Sequence, residues 1–199
     1  MDLKTYEYTS TFYKKARELG MPNVRIILSK NAHVKSNFVI PQTNDHMKPK
    51  GVWYAFGGAW IALANSVSRG GLSAYNYVYE IDVDINKMLV IKSGSDYKKL
   101  PDAFKTLLSV KYVDWKQVAK NYCGVEFPAP YNYDEINDMI PLDAPSGCIW
   151  NSDAITNIKL LGKKINNKWV FKQGEPEEET TNTLQDALPE DFDSQNWFV

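Results

Sequence analysis

Residues 77–83 read Tyr-Val-Tyr-Glu-Ile-Asp-Val, an alternation rich in aromatic and β-branched side chains. That is the period of a half-buried strand. Residues 85–87 (Ile-Asn-Lys) then turn the chain, and residues 88–91 (Met-Leu-Val-Ile) resume a strand, which makes this the clearest strand pair. Other short strands are expected at residues 24–29, with Arg25 near the start, and at 51–56, 123–127 and 148–150. A hairpin is expected from residues 155–165 and 168–171.

Helices are expected at residues 9–19, ending at Gly20, and at 59–65, 95–107 and 114–121, the last with Asp114 as its N-cap. Residues 31–50 form a long polar connection, 66–72 a turn-rich break, 128–131 a proline linker and 133–144 a surface excursion. Short strands separated by long irregular stretches indicate an α+β domain whose site is built on loops.

Charge divides the chain in two. Residues 174–199 hold eight of the 24 acids and none of the 23 Lys and Arg. Residues 1–173 therefore carry 23 basic against the remaining 16 acidic residues, about +7 under a whole-chain charge of -1. The expected organisation is a basic domain over residues 1–173 and an acidic C-terminal tail over 174–199. A basic body suits polyanionic partners such as RNA or DNA. The tail suits a protein partner, a cover over a basic face, or plain solvation, and it ends in Trp197, Phe198 and Val199, which are costly to leave in water.

No run of about 18 apolar residues exists to span a bilayer. The start lacks the basic-then-apolar order of a secretory signal, so a cytoplasmic location with no membrane partner is the expectation. Cys123 and Cys148 lie far apart, and only His33 and His46 could join them, so neither a metal site nor a Cys-His dyad is expected.

No nucleotide-binding loop or nucleophile elbow is present, and the chemistry must come from dispersed residues. Residues 47–66 gather Lys-Pro-Lys-Gly51, a strand-like Val-Trp-Tyr-Ala-Phe, Gly57-Gly58 and Trp60. Glycines admit a close ligand, and Trp53 and Trp60 about a Gly-Gly turn would wall a flat pocket. A hydrophobic hairpin would use the same residues.

The order of segments resembles the core of ADP-ribosyltransferase-like proteins over roughly residues 24–161. A strand bearing Arg25 precedes Gly-Val-Trp-Tyr-Ala at 51–55 and a short helix; Tyr-Val-Tyr-Glu-Ile-Asp-Val at 77–83 follows with Lys-Met-Leu-Val-Ile at 87–91. Tyr-Cys-Gly-Val-Glu at 122–126 looks like the family's penultimate segment, and Cys-Ile-Trp-Asn-Ser-Asp-Ala-Ile at 148–155 like its closing strand.

The resemblance implies a split β-sandwich with flanking helices that binds NAD as a substrate and transfers ADP-ribose to a macromolecular acceptor, RNA, DNA or protein. It implies Arg25, Ser29, Gly51, Trp53 and Trp60 as cofactor-binding residues. Tyr54 and Glu126 are the implied catalytic pair.

Two positions depart from the family pattern. Ala55 stands where a hydroxyl is expected, and Pro145-Ser146-Gly147 stands where the catalytic Glu is expected. Glu126, on the preceding strand, is the best substitute acid, with Asp153 and Glu80 behind it. Two alternatives stay open: a catalytically silent module of the same fold, and an inhibitor whose acidic tail mimics a polyanion.

Overall fold

The computed structural model describes residues 24–32, 34, 37–61, 74–104, 112–128, 140, 142, 144–166 and 168–171. The expected helix at 9–19, the break at 66–72 and the acidic tail lie outside the described residues. Within them the protein is mixed α and β, with one large, mostly antiparallel sheet and few, short helices.

The strands follow in chain order as β1 (Arg25–Ser29), β2 (Val52–Phe56), β3 (Tyr77–Val83), β4 (Met88–Val90), β5 (Asp102–Phe104), β6 (Tyr112–Val113), β7 (Gly124–Phe127), β8 (Ser146–Ile149), β9 (Ile155–Ile165) and β10 (Lys168–Phe171). Eight of them form one sheet in the order β10-β9-β3-β1-β2-β8-β7-β4, while β5 and β6 make a separate antiparallel pair. Only the β4–β7 pairing is parallel in the large sheet. The expected terminal hairpin forms between β9 and β10, with Lys168 opposite Ile165 and Asn166 in the left-handed region at φ 49.

β3 and β4 do not pair, contrary to the sequence expectation. Both edges of β3 are already occupied, by β1 and β9. The connection Ile85–Lys87 is a 3-10 turn capped by the Asp84 side chain, and it carries the chain across to β7 instead of back along β3. This link also forces the sheet to bend. Five strand spacings in a flat sheet amount to about 24 Å, whereas the five residues from Val83 to Met88 reach about 17 Å at most. The sheet therefore curls, and Met88 of β4 shares one packed cluster with Tyr79 and Ile81 of β3 and with Tyr54 and Ile149.

The opposite face carries the larger apolar core. Trp115, Trp150, Tyr97, Val125, Phe127 and Cys148 pack there, joined toward β1 by Ile26, Leu28 and Val78.

Helix α1 (Gly94–Lys98) is capped by Ser93, and α2 (Trp115–Val118) by Asp114, whose carboxylate accepts from the Gln117 N–H at 2.9 Å. The Asp114 cap agrees with the sequence reading. The expected helix over 95–107 does not: Pro101 interrupts it, and β5 follows. Residues 133–144 are not wholly a surface excursion either, because Ile140, Leu142 and Ala144 are buried, the first two in the larger core.

Candidate functional site

Alternation along β1 sends Ile26 and Leu28 to one side of the sheet and Arg25 and Ile27 to the other. The same alternation in β2 sends Tyr54 and Phe56 to the Arg25 side. Register then brings Glu126 alongside, since Gly147 of β8 stands opposite both Tyr54 and Glu126.

Three side chains converge above Gly147. The Arg25 Nε donates to Glu126 Oε2 at 2.8 Å and its Nη2 donates to Oε1 at 3.2 Å, a two-pronged pair. The Tyr54 hydroxyl donates to Glu126 Oε2 at 2.6 Å.

Gly147 makes this convergence possible. A Cβ at that position would overlap the Tyr54 ring, so the ring lies across the glycine to reach the carboxylate. The sequence position that lacks the expected acid is thus occupied by an aromatic ring directed at Glu126, one strand away. Phe56 completes the group: the Arg25 guanidinium lies 5.4 Å from its ring centre, and the ring meets Tyr54 edge-on at 5.9 Å.

Burial fixes the electrostatics. Glu126 is almost fully buried, with 4% of its side chain exposed, against 22% for Arg25. A carboxylate in such a place is tolerable only when paired and hydrogen-bonded. Burial works against the Arg25 charge, but the hydrogen bond and attraction to Glu126 outweigh it and its pKa rises. Burial, followed by the Glu126 charge and hydrogen bond, pushes the Tyr54 phenol far above its ordinary value. Tyr54 is therefore a fixed donor at neutral pH, not a proton shuttle.

Of the residues picked from sequence, Arg25, Tyr54 and Glu126 come together. The others stand elsewhere. Trp53 points to the opposite face, packed on the larger core with Lys48 5.8 Å from its ring centre. Trp60 packs against the Ile26 and Ala55 clusters, also on that face. The two indoles thus do not wall a pocket with Tyr54; neighbouring residues on a strand face opposite ways.

Ser29 shares the Arg25 face but lies four residues along β1, about 13 Å away, and its hydroxyl donates to the Asn31 carbonyl at 2.9 Å. Gly51 is required by packing, because a Cβ there would strike the Ile149 carbonyl. Among the reserve acids, Glu80 pairs in register with Ile26 and so faces away, and Asp153 is an exposed residue of the turn after β8. Sequence reasoning missed Phe56 and the seating role of Gly147. Alternation from Tyr54 would have found the first.

Among the described residues no group of three or more His, Cys, Asp or Glu is placed to hold a metal ion. Cys148 is fully buried, which raises its thiol pKa well above the ordinary value and leaves it inert. No helix among the described residues is long and apolar enough to cross a membrane. No protein family, curated protein or solved structure matches the chain.

Proposed function

We propose that the protein is an ADP-ribosyltransferase of the split-sandwich type, acting in the cytoplasm and transferring ADP-ribose from NAD to a macromolecular acceptor. The observation that carries this reading is the buried Arg25–Glu126–Tyr54 group, which joins a first-strand arginine to a late-strand carboxylate in a chain whose segment order resembles that family. The residue types suit the substrate: a guanidinium for the diphosphate, a ring for a planar base, and a carboxylate for ribose hydroxyls.

The proposed chemistry is positioning and electrostatics. Glu126 accepts a hydrogen bond from the ribose and stabilises the positive charge that grows at its anomeric carbon. The bond to nicotinamide breaks with its electron pair leaving on neutral nicotinamide. A lone pair of the acceptor forms the new bond, and its proton passes to solvent. Tyr54 keeps Glu126 aimed throughout. Both Glu126 oxygens are engaged in the structure, so turnover requires Arg25 to release one when phosphates engage its guanidinium.

That same engagement favours a second reading, a silent module in which the group only pins the curled sheet. The test is nicotinamide release from NAD with RNA, DNA and protein acceptors. Release that falls about a hundredfold or more in Glu126→Gln supports the enzyme. NAD binding by calorimetry without release, or neither binding nor release, removes the enzyme and leaves the module.

A further inference from the structure

Strand β9 runs eleven residues, about 34 Å, and its two ends are unlike. Among the described residues the exposed large apolar side chains are Val39 at 71%, Ile85 at 42%, Ile165 at 42% and Val170 at 49%. Scattered singly, such residues need no partner. Here they fall two and two at the opposite ends of β9, beside charges that differ in sign between the ends.

At the start of β9, Asn151 caps the turn Ser152–Ala154 and forms a β-bridge with Val39. The Asp84 N–H donates to the Ala154 carbonyl at 2.8 Å, which holds the turn containing Ile85 against the first. Asp84 and Asp153 thus stand with Val39 and Ile85 about two adjoining turns, and Asp153 is exposed. The one cation of residues 84–87 and 151–154 is Lys87, whose ammonium donates to the Asp153 carbonyl at 2.8 Å.

At the far end, register places Lys163 opposite Tyr77 of β3 on one side and Val170 of β10 on the other, with Ile165 opposite Lys168. Residues opposite one another, and residues two apart on one strand, share a face of the sheet. Lys163, Ile165 and Val170, all exposed, therefore form one surface bordered by the half-buried Tyr77.

We propose that copies of this chain associate end to end, the Lys163–Ile165–Val170 surface of one copy seating on the Val39 and Ile85 turns of the next. The contact brings an ammonium to Asp84 and Asp153 and covers apolar side chains on both partners. Like ends would oppose lysine to lysine or carboxylate to carboxylate, so the contact joins unlike ends. It is heterologous, leaves one end of each copy open, and propagates beyond a dimer. The inference goes beyond the proposed function and holds whether or not the chain transfers ADP-ribose.

The experiment is sedimentation velocity of the full chain. A contact of a few side chains is small, so association is expected toward the upper part of a range of about 10–300 µM protein. It should be at least about fivefold weaker at about 300 mM salt than at about 50 mM. Lys163→Gln with Val170→Gln removes one end, and Asp153→Asn with Val39→Gln removes the other. Each paired variant alone should associate at least about tenfold more weakly than the parent chain. The single substitutions Lys163→Gln and Asp153→Asn should lie between, and a thermal melt checks that every variant is folded.

Mixing the two paired variants is the decisive arm. Each retains the end that the other lacks, so the mixture should regain association and stop at a one-to-one dimer. A parent chain that stays monomeric over the whole range overturns the proposal, as does a mixture no more associated than either variant alone. Association of both paired variants equal to that of the parent overturns it too.

Discussion

Strand β2 divides the molecule into two unlike halves. Trp53 and Ala55 face a side whose buried residues are mostly apolar, Ser146 opposite Ala55 being an exception, centred on Trp115 and Trp150 with ring centres 6.2 Å apart. Tyr54 and Phe56 face a side where a carboxylate, a guanidinium and a phenol are drawn into the same cluster as Ile81, Met88 and Ile149. The apolar side is what a domain of this size needs for stability. The polar side is the more expensive way to fill a core, since a buried ion pair offers little net stability over hydrophobic residues of similar volume.

The contrast breaks most sharply under truncation. Trp115→Ala should cost about 3–5 kcal/mol by leaving a cavity in the apolar side. Glu126→Ala should cost a similar amount, about 3–5 kcal/mol, by leaving Arg25 without its partner. Chemical denaturation measures both. The two sides separate in the paired substitution Arg25→Met with Glu126→Leu, which should be neutral or stabilising by about 1–4 kcal/mol while abolishing NAD turnover. A large loss of stability there would make the group structural.

Gly147→Val tests the seat of Tyr54. The added branch must displace the ring, and a loss of about 1–3 kcal/mol is expected together with loss of activity. Tyr54→Phe leaves a buried carboxylate oxygen short of one donor and should cost about 1–3 kcal/mol.

The smallest effect is in pH. Burial raises the Tyr75 phenol to about 12, and burial, with smaller electrostatic contributions, also raises Tyr54 and Tyr79. Unfolded phenols ionise near 10, so stability is full below about pH 10 and is lost as pH climbs from there through the raised folded values. Each such tyrosine contributes up to about 1.4 kcal/mol per pH unit in that window. Tyr54→Phe should make the decline shallower, as alkaline denaturation curves would record.

Much of the strand content was legible because alternation and β-branched runs are local signals. β1, β2, β3 and the terminal hairpin fall where residues 24–29, 51–56, 77–83 and 155–171 indicate. Pairing was not legible to the same degree. The expected β3–β4 pair fails because β1 and β9, distant in sequence, take both edges of β3, and no local pattern announces that.

The site divides in the same way. The resemblance in segment order singles out Arg25, Tyr54 and Glu126, but their convergence depends on Gly147 standing opposite two strands at once. Trp53 and Trp60 were grouped with Tyr54 by proximity in sequence, whereas the pleat sends them to the other face.

Nicotinamide release from NAD by the folded full chain and by Glu126→Gln, each checked for equal melting behaviour, bears most directly on the role of the polar side. Release by the parent chain that falls about a hundredfold or more in Glu126→Gln is the predicted result. Equal release by both proteins, or none from either, would contradict it.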